Sequence, residues 1–160
     1  MSEEIDFFIT LPSNDKSFPQ AQQNPNDFKV RFPSPLNLKT EYQVALYEIF
    51  YNVTQEESNG ADDIDNLTVS YGEDLPTDLF VYCDMIESQV VGSEYVRLLK
   101  PINNGKINTS QVFRASEPLQ YVNVIAKHIT QVALQINDQQ GKPVPMTDTT
   151  TIVLAFRKRV

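Results

Sequence analysis

Basic charge, histidine, cysteine and glycine are scarce in this chain, and tryptophan is missing altogether. Its 13 lysines and arginines face 21 aspartates and glutamates, for a net charge of −8. A phosphate backbone needs a basic face, so direct nucleic-acid binding is not expected. The one thiol, Cys83, cannot form an internal disulfide. The one imidazole, His128, cannot supply the clustered ligands of a cupin-type metal site. There are only 5 glycines, and none sits in a phosphate-cradling loop. No apolar run approaches the roughly 20 residues that a membrane-spanning helix needs. The opening Met1-Ser2-Glu3-Glu4 is acidic where a secretory signal would be basic, so synthesis inside the cell is expected.

The chemistry-bearing residues that are present do not form a set. Cys83 lies inside an apolar run and reads as a small buried hydrophobe. A nucleophilic role would need His128 as its base. His128 opens an alternating strand and reads as a surface or hydrogen-bonded structural histidine. Two carboxylates facing across a cleft could serve a glycosidase, but nothing selects a pair among 21 acidic residues. The run Asp62-Asp63-Ile64-Asp65 lacks the spacing and closing glutamate of a calcium loop and reads as solvated. Three Asn-x-Ser/Thr matches, at Asn52, Asn66 and Asn108, count as chance without a secretory signal. No catalytic, cofactor-binding or metal-binding residue is assigned.

What the chain does have is hydrophobic content of 41%, enough for a packed core, in short runs between turn signals. Strands are expected at Ile5–Leu11, Phe28–Phe32, Glu41–Tyr51, Leu67–Tyr71 and Phe80–Ile86. Others follow at Val90–Val91, Tyr95–Leu99, Val112–Ala115, Pro118–Ile125, His128–Asn137 and Thr150–Arg157. Pro33 and Pro35 should stop the second of these, because proline cannot donate to a ladder. Pro19–Pro25 is a polar, glutamine-rich linker around Gln20-Ala21-Gln22-Gln23-Asn24. Asn104-Gly105 and Asp138-Gln139-Gln140-Gly141-Lys142 read as hairpin turns. No helix is expected and no fixed-period repeat is visible. A single domain over 1–160, an all-β sandwich or barrel of antiparallel strands, accounts for the pattern, with 52–66 as an acidic surface loop.

The run Glu41–Tyr51 is unusual because it is apolar on both faces. Simple alternation puts Val44, Leu46 and Phe50 on one face and Tyr47, Ile49 and Tyr51 on the other. A sandwich strand turns only one face to its core. The first set is therefore expected in the core. The second is expected at a subunit contact, with loop 52–66 as the alternative cover. The basic cluster Arg157-Lys158-Arg159 reads either as a solvated strand end or as a contact with an acidic neighbour such as another subunit.

Four blocks in order resemble the minor capsid, or penton, proteins of Polinton/Maverick elements and adintoviruses. The first is Phe7-Phe8-Ile9-Thr10-Leu11-Pro12-Ser13-Asn14. The second runs from Phe28 through Pro33-Ser34-Pro35-Leu36 to Tyr42-Gln43-Val44-Ala45-Leu46-Tyr47-Glu48-Ile49. The third joins Phe80-Val81-Tyr82-Cys83-Asp84 to Gln89-Val90-Val91-Gly92 and Leu98-Leu99. The last is Ile136-Asn137-Asp138-Gln139-Gln140-Gly141-Lys142-Pro143-Val144-Pro145 with Val153-Leu154-Ala155-Phe156-Arg157. The family is usually longer between the second and third blocks, where only residues 52–79 stand here. The resemblance implies a single jelly roll of about eight to ten strands and no enzymatic activity. It also implies a homo-oligomer, expected to be a pentamer, at the five-fold vertices of an icosahedral virion. Its partner there would be the major capsid protein, and it would be assembled in the cytoplasm or nucleus of the host. The competing expectation is a lectin-like or receptor-binding sandwich. A small jelly-roll enzyme ranks third.

Overall fold

Alternating apolar residues in the long runs produce two antiparallel sheets that face each other. The computed structural model describes residues 4–53, 78–103, 111–114 and 119–159. In chain order the strands are β1 (Phe7–Pro12), β2 (Asp27–Asn37), β3 (Tyr42–Val53), β4 (Asp78–Cys83), β5 (Gln89–Val91), β6 (Glu94–Val96), β7 (Leu98–Asn103), β8 (Gln111–Arg114), β9 (Val122–Asn123), β10 (His128–Asn137) and β11 (Met146–Lys158). Among the described residues the only helix is a single 3₁₀ turn, Gln20–Gln22. Sheet one has the order β1-β11-β3-β8, with β9 also on β3. Sheet two has the order β2-β10-β4-β7, and β5 and β6 form a separate hairpin.

Without that hairpin and the two-residue β9, eight of the eleven strands remain. Sheet one then holds the first, last, third and sixth of these eight, and sheet two the second, seventh, fourth and fifth. That interleaving of two Greek keys is a jelly roll. The core lies between the sheets. Leu11, Val44, Leu46, Ile152, Leu154 and Phe156 from sheet one meet Phe28, Leu79, Val81, Val132, Leu134 and Ile136 from sheet two. Burying each such side chain contributes about 1.5–3 kcal/mol before entropy is counted.

Several expected strands differ in extent: the run 95–99 is divided between β6 and β7, and 80–86 ends at Cys83. For two others the backbone gives the reason. Pro33 and Pro35 do not end β2. Its partner β10 advances only from Gln131 to Ile129 while β2 advances from Arg31 to Leu36. The residues between bulge out of the ladder, and β2 is an edge strand, where proline costs no hydrogen bond. The run 118–125 yields only Val122–Asn123 because it crosses between sheets. The Val124 amide donates to the Tyr42 carbonyl on β3, and the next amide, Ile125, donates to the Met85 carbonyl just beyond β4. The strand expected at 67–71 and the turn at Asn104-Gly105 lie outside the described residues. The turn after β10 is as read. Gly141 has a φ of 83°, and the Asp138 carboxylate accepts from the Gln140 and Lys142 amides.

The outer edge of β2 is closed by side chains from the segment before it. The Gln23 amide accepts from the Lys29 N–H at 2.9 Å and donates to the Lys29 carbonyl at 2.8 Å, as a neighbouring strand would. The Asp15 carboxylate accepts from the Arg31 N–H at 2.6 Å and the Ser17 N–H at 2.9 Å. The Phe18 ring packs under the Arg31 guanidinium, 5.1 Å from its centroid. The glutamine-rich linker therefore has a task that its lack of hydrophobic pattern conceals.

Partial burial alone would raise the Asp15 pKa, but the amide bonds from Arg31 and Ser17 outweigh it and hold the carboxyl below its usual value. A depressed folded pKa adds stability above the unfolded value, and that stability is lost as pH falls through the folded value. Asp15→Ala is therefore expected to lower stability at neutral pH by about 1 kcal/mol, discounted for exposure. The gap between variant and parent should close below about pH 4 in urea titrations across pH. A gap that stays constant down to pH 2 would show that the cap is not ionic.

Candidate functional site

Strand β3 carries the residues on which an interface was expected, and its register with β11 decides where they point. Val153 pairs with Glu48, but the next residue, Leu154, pairs with Leu46. Tyr47 is thus an extra residue, a β-bulge, and the inward alternation changes parity there. Val44 and Leu46 before the bulge and Ile49 and Tyr51 after it all belong to the core cluster. Ile49 is 0% exposed and Tyr51 4%, whereas Phe50 is 40% exposed on the outer face. The expected division of the strand is corrected accordingly. Phe50 leaves the core set, and Ile49 and Tyr51 are core residues whose side chains are not offered to a neighbour. Burial pushes the Tyr51 hydroxyl pKa up to about 12.

Tyr47 stays on the outer face. Its ring meets that of Phe8 edge-on, with centroids 4.9 Å apart. Phe8 stands opposite Ala155 on β11, and Ala155 stands opposite Ala45 on β3. Both alanines face outward yet are fully buried, which places the two aromatic rings over them. Phe8 itself remains 49% exposed. Phe8 and Tyr47 therefore form an aromatic pair on the outside of sheet one, and Phe50 stands on the same outer face further along β3. Alternation alone missed Phe8 and Phe50. Of the alternative cover, loop 52–66, only Asn52 and Val53 lie within the described residues, as the end of β3; the acidic run Asp62–Asp65 also falls outside them.

The basic cluster at the end of β11 divides in two. The Arg157 guanidinium lies 3.8 Å from the Tyr121 ring centroid, and its Nε donates to the Gln43 side chain at 2.9 Å. Arg157 is thus held within its own subunit. Lys158 is exposed. Arg159 approaches Glu41 at 3.5 Å, with the side chains 47% and 64% exposed. A pair so open to water contributes little.

A groove of about 610 Å³ lies outside sheet two, beside the β5–β6 hairpin. Asp27, Asp84, Glu94 and Arg97 line it together with Tyr82 and Tyr95. Burial, and secondarily the Glu94 charge, raise the Tyr82 pKa. Of its lining, Cys83 reads from the sequence as a buried hydrophobe and Gly141 as a turn residue, neither as part of a groove. Its members come from β2, β4, β6, β10 and the loop after β4, too scattered in the chain for any local signal.

The two residues with potential nucleophile chemistry lie apart. Cys83 stands opposite Leu134, six residues along β10 from His128. At about 3.3 Å per residue the two are roughly 20 Å apart, far beyond proton-transfer reach. Burial pushes the Cys83 thiol up to about 12, so the thiolate is negligible at neutral pH. His128 Nδ1 lies 2.6 Å from the Asn37 side-chain oxygen, a bond that ties β10 to β2. Among the described residues no three His, Cys, Asp or Glu side chains converge as a metal site would require.

Two outcomes check this geometry. Ile49→Ala should destabilise by about 2–5 kcal/mol, while Phe50→Ser should change stability by under about 1 kcal/mol. The reverse order in denaturant melts would restore simple alternation along β3. Cys83 should resist thiol-labelling reagents in the native protein and react only as fast as it unfolds. Prompt labelling at neutral pH would contradict its burial.

No protein-family model matches the chain. No curated protein matches it in sequence either. Its three-dimensional structure is similar to the crystal structure of the selenomethionine-labelled mavirus penton protein. The TM-score is 0.62, at 8% sequence identity. The match covers 95% of this chain and 99% of that one, so the likeness extends over nearly the whole of both molecules. The jelly-roll fold of this chain is thus similar, over nearly its whole length, to that of the mavirus penton protein.

Proposed function

We propose that this chain is a structural capsid protein, a penton of the Polinton/Maverick and adintovirus type. It forms one jelly-roll domain over 1–160 and assembles as a homo-oligomer, a pentamer, at the five-fold vertices of an icosahedral virion. There it abuts the major capsid protein, after assembly in the cytoplasm or nucleus of the host cell. The observation that carries this reading is the end-to-end fold likeness to a penton protein. The aromatic residues Phe8, Tyr47 and Phe50 on the outer face of sheet one support it. Exposed rings whose apolar bodies lack cover are what subunit contacts bury, and aromatic residues are enriched there. The role is mechanical and rests on shape complementarity between copies.

Sedimentation velocity tests the reading. The unaltered chain should sediment as a closed oligomer of five times the 18.2 kDa subunit. Tyr47→Ser combined with Phe8→Ser should give folded monomer, since both side chains lie outside the core. A variant that still assembles like the parent would remove this pair from the contact. An unaltered chain that stays monomeric up to millimolar concentration would sink the capsid reading and favour a lectin-like binding module.

A further inference from the structure

If copies of this chain meet through the aromatic residues outside sheet one, they need a complement, and two features outside sheet two are candidates for it. Val90 and Tyr95 stand directly opposite each other on the β5–β6 hairpin. Directly opposed residues share a face, so two apolar side chains, 65% and 78% exposed, sit side by side in solvent. Tyr95 and Glu94 also line the acidic groove. Within it Asp84 is already engaged. One carboxylate oxygen accepts from the Ala133 N–H at 2.9 Å, and its carbonyl accepts from Arg97 at 3.1 Å. Asp27 and Glu94 are exposed and remain to meet a cation.

Cations are scarce in this chain, and the strand end after Arg157 presents two together. Lys158 is exposed and has no ion pair among the described residues, and Arg159 holds only its long, solvated contact with Glu41. Phe8 lies opposite Ala155, three residues from Lys158, or about 10 Å along the strand. The β11 tip thus offers two cations about 10 Å from an aromatic ring, and the β5–β6 hairpin an apolar pair beside two carboxylates.

We infer, on the assembly reading above, that the groove beside the β5–β6 hairpin receives the Lys158–Arg159 strand end of a second copy of this chain, with Val90 and Tyr95 packed against that copy's Phe8. The two surfaces lie on different sheets, so the contact is head-to-tail, the kind that closes into a ring. Subunits of net charge −8 repel one another, and opposing this cationic tip to the acidic groove gives the encounter one orientation. Assembly should therefore weaken with added salt.

Charge reversal with rescue tests the contact by sedimentation at 50 mM salt. Asp27→Lys with Glu94→Lys should raise the dissociation constant of assembly about tenfold or more, as should Lys158→Glu with Arg159→Glu. The chain carrying all four changes should assemble as well as the unaltered protein. All four positions are exposed, and circular dichroism confirms folding of each variant. Should the reversed lysines lower the melting temperature, Asp27→Asn with Glu94→Gln replaces them, with a smaller loss expected. Assembly that tolerates either reversal, or a four-fold variant no better than the two-fold ones, would overturn this contact while the assembly reading stands. An unaltered chain that remains monomeric would take both down.

Discussion

Strand β3 carries Tyr47 as an extra residue relative to β11, and the orientation of everything on the far half of sheet one follows from it. A sandwich strand has a two-residue period and one face for the core. Without the bulge, the residues that fill the core near Leu46 would share parity with Phe50 and not with Ile49 and Tyr51. With it, one strand supplies five core side chains from both parities and turns aromatic rings outward. The apolar excess that made Glu41–Tyr51 stand out is therefore split between packing inside the subunit and aromatic rings outside it.

Much of the fold is legible in the sequence because its signals are local. Val132, Leu134 and Ile136 alternate with Gln131 and Gln135, and β10 is where they place it. Gly141 and Asp138 fix a turn through residues adjacent in the chain. The β3 bulge has no such signal, since it arises from the pairing of two strands a hundred residues apart. The same holds for the crossing at Val124 and Ile125, whose consecutive amides serve different sheets. The groove escaped reading for a related reason: it draws on strands from several parts of the chain. Of the expected contact residues, Tyr47 is outward, Ile49 and Tyr51 are inward, and Arg157 is held by Tyr121 and Gln43.

The poverty of chemistry and the abundance of surface contrast suit each other. A thiol raised to about 12 and an imidazole bonded to an asparagine leave both candidate nucleophile partners occupied with structure. What varies over the molecule is polarity: aromatic outside sheet one, acidic beside the hairpin, basic at the tip of β11. Such contrasts set register and orientation between proteins more than raw affinity.

The capped edge of β2 limits what can dock against it. An unpaired strand edge recruits any other strand, in any register and without limit of number. Gln23 and Asp15 supply the hydrogen-bonding partners that a foreign strand would bring to Lys29 and Arg31, from within the same chain. At Lys29 and Arg31, backbone recognition, which is indifferent to sequence, is already met from within the chain. Any docking along that stretch is left to side-chain surfaces, which are particular about angle.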